Sequence, residues 1–254
     1  MDLPKPKLGQ ITAITMTSPD LARSLSYYEK LGFKEVMRFD FPFPWIQITD
    51  GALLMMLRLD KDPYIALTYY VVDIERLVAG LENDGVDFME KPASTEMIKR
   101  YLIKSPDGLI ISLVNIVDGF TQPAGPTMLQ MPQSDMFNPE KYTNKTCGMF
   151  GEFAQPVGDL EASIEWWKKL GYKTISKFTA PYPWAILSDG LGIVGLHQTD
   201  TFDYPVVTYF ASDMKTKIEK LKEAGLDNFV SKGAGSIVLT TPEKQHINLF
   251  SMGI

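Results

Sequence analysis

The sequence predicts an α+β protein built from four copies of one strand–helix–strand–strand–strand unit. Three observations carry this. An Asp is followed twelve positions later by a Gly four times, at Asp20 and Gly32, Asp73 and Gly85, Asp159 and Gly171, and Asp213 and Gly225. Between the members of each pair, apolar residues fall at helical spacing. The two halves of the chain also repeat each other at an offset of 139, from Leu21 to Leu160.

The Asp–Gly pairs mark helix ends. An Asp at the N-cap accepts from the free backbone N–H groups of the first turn, and a Gly just past the last turn takes the left-handed conformation that closes a helix. The first helix presents Leu21, Leu25, Tyr28 and Leu31 on one face, and the second Ile74, Leu77, Val78 and Leu81. The third presents Leu160, Ile164, Trp167 and Leu170, and the fourth Met214, Ile218 and Leu221. One apolar face per helix is the pattern of a helix laid on a sheet.

A β-like run precedes each helix, at 11–16, 66–72, 149–154 and 206–211. Shorter runs divided by turn residues follow, such as 45–48, Asp50-Gly51 and then 53–57. In the second module 101–103 precedes Pro106-Asp107-Gly108 and a strand over 109–116. The shared offset extends to Leu31-Gly32-Phe33-Lys34 with Leu170-Gly171-Tyr172-Lys173, to Pro44-Trp45 with Pro183-Trp184, and to Asp50-Gly51 with Asp189-Gly190. This predicts one domain over 8–118, a linker over 119–146 with four prolines (Pro123, Pro126, Pro132, Pro139), and a second domain over 147–254. Such a linker either lies over one face and helps to cover a cavity or only connects. Pairing of modules within each half is expected, with exchange between the halves as the alternative that the sequence does not decide.

Composition narrows the function classes. Lys and Arg number 25 against 31 Asp and Glu, a net charge of -6, and no basic stripe exists to meet a phosphate backbone. No run approaches the roughly 20 apolar residues of a membrane span. The single cysteine, Cys147, and an opening segment without an apolar run set the expectation of a cytoplasmic protein. The expected partner is a small molecule, with no nucleic acid and no membrane, for a monomer or homodimer. Asn144-Lys145-Thr146 matches the glycosylation pattern and is read as chance.

The modules with their Asp-Leu helix starts, the stretches from Asp20 to Phe33 and from Asp159 to Tyr172, and Ser105-Pro106-Asp107-Gly108 resemble the vicinal-oxygen-chelate superfamily of glyoxalases, bleomycin-resistance proteins and dioxygenases. The resemblance implies four βαβββ modules paired into two glyoxalase-like cupped mixed sheets, each with a cavity. It also implies one of two activities. The enzymes hold a divalent metal through His, Glu or Gln on the first and last strands of a module; the bleomycin binders use no metal and sequester the drug.

At the positions the resemblance marks, the first half offers Ala13, Met55 or Met56, Leu67 and Ser112, none of which replaces a His or carboxylate ligand. The second half offers Glu152, Val194 or Gly195, Val207 and Asn248. No cofactor is therefore expected. The alternative is a divalent metal in the second domain at a displaced site of Glu152, His197 and His246, the last two being the only histidines of the chain. His197, where a strand should end, reads more simply as a solvated terminal residue. Glu152 is the candidate catalytic group, as a base or polar anchor.

The candidate ligand-binding residues are Phe43, Trp45, Tyr182, Trp184 and Asn248. The first four lie in matched Pro-aromatic-Pro-Trp segments, where proline fixes φ and holds rigid rings at a strand entrance. A proline-guarded edge strand with core tryptophans is the competing reading. Two functions stand side by side: a protein that binds a small organic molecule without a complete family metal site, and a metal-dependent lyase, isomerase or dioxygenase with one active site in the second domain.

Overall fold

The computed structural model describes residues 3–93, 96–115, 119–233 and 235–252. The first module runs β1 (Ile11–Ser18), α1 (Leu21–Lys30), β2 (Lys34–Phe39), β3 (Trp45–Thr49) and β4 (Leu54–Leu59). The second runs β5 (Ile65–Val71), α2 (Ile74–Asn83), β6 (Arg100–Lys104) and β7 (Ile110–Asn115). The third is β8 (Met149–Pro156), α3 (Leu160–Lys169), β9 (Lys173–Phe178), β10 (Trp184–Ser188) and β11 (Ile193–His197). The fourth is β12 (Val206–Ala211), α4 (Met214–Glu223), β13 (Phe229–Gly233), β14 (Ser236–Thr240) and β15 (His246–Ser251).

The strands form two open mixed sheets, one per half of the sequence, in the orders β2-β3-β4-β1-β5-β7-β6 and β13-β14-β15-β12-β8-β11-β10-β9. In every module the first strand runs parallel to the last, as in β1–β4, β5–β7, β8–β11 and β12–β15, and the remaining pairs are antiparallel. The first sheet has seven strands because the second module lacks the first of its three expected strands among the described residues. A single bridge from Glu90 to Leu102 stands there, and Pro92, two residues on, has no N–H to extend a ladder. Of the strand expected over 109–116, Ile116 lies outside the described residues, as does Asp118 at the expected domain end.

Compact units cut across the sheets. One unit holds Ile14–Tyr64, Pro123–Glu152 and Val206–Ile254, hence most of the first and fourth modules and the linker. The other holds Met1–Ala13, Ile65–Gln122 and Phe153–Pro205, hence most of the second and third modules.

The local physics explains the helices. Asp20, Asp73 and Asp159 each accept from the backbone N–H three residues on, while Asp213 makes no such bond and lies 3.5 Å from Lys217 Nζ instead. Gly32, Gly85, Gly171 and Gly225 all have φ between 74° and 89°, and the residue after each donates back to the helix, as Phe33 does to the Tyr28 carbonyl. Of the paired rings, Tyr28 and Trp167 are buried against the sheet while Tyr27 and Trp166 are partly exposed, each pair meeting edge to face.

In the unit of the first and fourth modules, α1 buries Ser24 with Tyr28, although Leu21 and Leu25 carry its apolar pattern. The reason is polar and long-range. The Ser24 hydroxyl donates to the buried Glu243 carboxylate, which also accepts from the Tyr28 hydroxyl at 3.1 Å. The linker is packed into this unit. Asn144 donates Nδ2 to the Leu31 carbonyl (3.0 Å) and to Asp50 (3.1 Å), and its Oδ1 accepts from the N–H groups of Thr146 and Cys147. Tyr209 completes the cluster with a 2.5 Å bond to Asp50.

The unit of the second and third modules repeats this design. Ser163 of α3 donates to Asp107 at 2.5 Å, and the Tyr69 hydroxyl donates to Asp189 at 2.7 Å. The Tyr172 hydroxyl lies 2.5 Å from that of Tyr69, in the role that Asn144 fills in the other unit, where the matched residue is Phe33. Burial pushes Tyr69 and Tyr172 far above the ordinary phenol range and raises Asp189 as well, desolvation being the largest cause in each case.

Candidate functional site

Strand register decides which side chains share a face. In the third module Ala185, Leu187, Val194 and Leu196 are fully buried, and α3 packs on their strands. The alternate residues, Trp184, Ile186, Gly195 and His197, face the other way, because side chains alternate along a strand. On that other face the rings stack in a row. Phe178 lies 4.1 Å from Trp184 at 17°, and Trp184 lies 5.2 Å from His197 at 6°. Tyr182 and Phe202 meet the His197 ring edge-on at 5.9 and 5.7 Å.

Tyr182 and Trp184, the predicted ligand-binding pair, are therefore brought together around His197. His197 itself departs from expectation. It ends β11 but is only 8% exposed, because the neighbouring rings cover it.

The first module holds the matching frame within its own unit. Phe39 stacks on Trp45 at 5.2 Å and 27°, and Arg58, the cross-strand partner of Trp45, points its guanidinium at Phe43 (5.2 Å) and Tyr64 (5.5 Å). Phe43 and Trp45 are thus joined through Arg58, which the motif reading passed over. The offset of 139 was the signal: it carries Phe39 to Phe178, Phe43 to Tyr182, Trp45 to Trp184 and Arg58 to His197. Phe41 in the adjoining loop is 73% exposed, so the frame has an apolar mouth in contact with water.

Asn248 belongs to the fourth module. It lies opposite Thr208 in the β12–β15 register and donates to its hydroxyl at 3.4 Å. The same register corrects the strand position read from sequence. Val207 pairs with Ile247, on the face α4 covers, so Thr208 is the residue beside Asn248. Likewise Leu67 pairs with Ile111 and Thr68 with Ser112, so Leu67 and Ser112 do not share a face. Glu152, in the unit of Asn248 and His246, is 3% exposed and engaged with a partner.

Comparison with known proteins now bears on this frame. Residues 10–113 match the family model of the Glyoxalase/Bleomycin resistance protein/Dioxygenase superfamily. This segment belongs to that superfamily. No curated protein matches the chain. Among solved structures, the 2,3-dioxygenase LapB of Pseudomonas sp. KL28 is 14% identical over 99% of this chain and 93% of its own, with a TM-score of 0.61. Homoprotocatechuate 2,3-dioxygenase of Arthrobacter globiformis is 12% identical over 99% of this chain and 82% of its own, at 0.63. The Brevibacterium fuscum enzyme in complex with 3,4-dihydroxyphenylacetate is 13% identical over 98% and 82%, also at 0.63. The whole chain thus shares the fold of these 2,3-dioxygenases.

Metal-dependent members of the superfamily hold a divalent ion at the strand positions just described. The residues here do not fit one. In the first half the residues at these positions are Ala13 and Met56 in the first module and Thr68 and Ser112 in the second, none of them a His or a carboxylate. In the second, Glu152 is the one carboxylate at these positions, and Thr208 and Asn248 stand beside each other, an alcohol and an amide that bind first-row metals poorly. Among the described residues no group of three or more His, Cys, Asp and Glu side chains is placed to hold a metal. Of the displaced set, Glu152 and His246 belong to one unit and His197 to the other.

No described helix is long and apolar enough to cross a membrane. A surface cleft of about 280 Å³ in the unit of the first and fourth modules lies between α1 and the β14–β15 turn, lined by Arg23, Tyr27, Lys30 and Thr240, and none of the predicted site residues lines it.

Proposed function

We propose that the protein binds a small, flat organic molecule against its aromatic frames, without a complete metal site of the superfamily's kind. The stacked row Phe178–Trp184–His197 is the observation that carries this reading. A ring row on the sheet face away from the helix offers a planar apolar surface whose order is already fixed, so a ligand that stacks on it orders little further. The expected partner is a small molecule rather than a nucleic acid or a membrane, with the chain acting as a monomer or homodimer. Asn248 is the proposed polar contact of the fourth module.

The fold shared with 2,3-dioxygenases favours a second reading, a metal-dependent lyase, isomerase or dioxygenase with one active site in the second half and Glu152 as its base or ligand. Metal analysis and native mass of protein purified without chelator separate the two. Metal-free protein carrying extra organic mass, lost in Trp184→Ala, is the expected result. A stoichiometric divalent metal, with turnover that Glu152→Ala abolishes in a folded variant, overturns the first reading in favour of the second.

A further inference from the structure

The first module carries a polar feature that the ring frame does not explain. Along β3, Ile46 and Ile48 are fully buried on the α1 side, so Trp45 and Gln47 share the opposite face. Gln47 is 1% exposed, and neither its Oε1 nor its Nε2 has a hydrogen-bond partner. A buried amide left without partners is costly, and native proteins rarely tolerate one on both atoms. On the same face, Met56 lies across from Gln47 and Arg58 across from Trp45, which makes Gln47 and Arg58 diagonal neighbours within reach of long side chains. Arg58 donates Nη2 to Asp60 at 3.0 Å, yet its Nε is buried and also without a partner.

We infer that this face of the first module is a binding site for a small aromatic carboxylate, held by Arg58 and Gln47 and stacked among Trp45, Phe43 and Tyr64. The inference rests on the aromatic-binding reading above and adds the ligand's charge. Each unpaired group then has its counterpart. The Arg58 Nε–H offers one prong of the fork that matches a carboxylate. Gln47 Nε2–H supplies a second donor, and its Oε1 accepts from a ring hydroxyl or a protonated substituent. The ligand's ring lies beside the side chains that already flank the guanidinium at 5.2 and 5.5 Å. The third module has His197 where Arg58 stands, so the two frames differ in the side chain they present at this position.

The test uses the full-length chain with 2-naphthoate and its neutral analogue 2-naphthamide, followed by tryptophan fluorescence. The expected result is one naphthoate site per chain whose quenching disappears in Trp45→Phe, with naphthamide bound at least tenfold more weakly. Arg58→Met and Gln47→Leu each weaken naphthoate at least tenfold, and Arg58→Lys, which keeps the charge without the fork, recovers part of the loss. Equal binding of naphthoate and naphthamide overturns the charge assignment and leaves the aromatic-binding reading standing. Quenching that vanishes in Trp184→Phe and persists in Trp45→Phe moves the site to the third module and overturns the inference. A Gln47→Leu variant that is more heat-stable and binds naphthoate unchanged also overturns it, by making the amide a structural relic. Where a variant does not fold, the naphthoate-to-naphthamide ratio on the unaltered protein decides.

Discussion

Replacing Tyr69 with Phe deletes one oxygen atom from the buried cluster of the second and third modules and little else. That oxygen donates to Asp189 at 2.7 Å and lies 2.5 Å from the Tyr172 hydroxyl. All three side chains are buried, so water does not replace what is lost. A bond to a buried carboxylate contributes about 1.5–3 kcal/mol and a neutral hydroxyl pair about 1 kcal/mol, which sums to about 3 kcal/mol. At about 2–4 °C per kcal/mol for a body of this size, melting falls by about 6–12 °C. Urea unfolding followed by tryptophan fluorescence reads this locally, since the Trp167 ring lies 4.7 Å from that of Tyr172. Adding Tyr172→Phe costs less than its own single effect, by about 1 kcal/mol, because the two hydroxyls share a bond. Glu161→Gln is the control: it removes an exposed ion pair with Lys177 and changes stability by less than about 0.5 kcal/mol. A Tyr69→Phe loss no larger than the control's refutes the claim that this cluster stabilises its unit.

Three further outcomes follow from the same geometry. The Asp189 carboxyl is raised above its ordinary 3.8 by desolvation, so its contribution is complete below that value and is lost as pH rises through the folded value. Unfolding titrations from pH 4 upward should show this decline in the native protein and a flatter profile in Asp189→Asn. Gly125→Ala would put a methyl 2.4 Å from the Gly51 carbonyl where the linker is seated, and calorimetry should show a loss of about 1–3 kcal/mol. Arg58→His, which gives the first frame the third module's residue, should remove the naphthoate preference over naphthamide, as measured by fluorescence titration; a retained preference would show that Arg58 does not set it.

The helices were legible because their causes are local. An Asp cap and a left-handed Gly act on the adjoining turn, and both are visible within thirteen residues of sequence. Contacts between modules were not legible. Ser24 reads as a gap in the apolar face of α1 until Glu243, more than two hundred residues away, is placed against it. Asp50 and Asp189 read as turn punctuation, and they do hold their own turns, Asp189 accepting from the N–H groups of Leu191 and Gly192. Their second task, accepting from Tyr209 and Tyr69, depends on pairs that no local pattern marks. The glycosylation-like Asn144 is a buried strut, its pattern match having no bearing on its role. Val207 and Leu67 show a further limit: a register one residue off reverses every side chain of a strand.

The two aromatic frames tell how a duplicated unit acquires distinct recognition. Phe39 and Trp45 match Phe178 and Trp184 in identity, position and stacking, because a ring row on a strand face depends on its members' size and register and tolerates little change in either. The residue across from each Trp is under a weaker steric rule. A guanidinium and an imidazole are both flat groups that pack against aromatic rings, Arg58 over Phe43 and Tyr64 and His197 on Trp184. Arg58 lies by Phe43 and Tyr64 and leaves one N–H over; His197 stacks directly on Trp184 and is closed in by Tyr182 and Phe202. One duplicate therefore keeps a buried donor without a partner, and the other incorporates its polar residue into the stack. On the proposed reading Arg58, which keeps a donor beyond its pair with Asp60, takes an anionic ligand, whereas an imidazole enclosed by rings presents mainly an apolar edge. On the proposed reading, divergence at this single cross-strand position gives the two frames ligands of different charge.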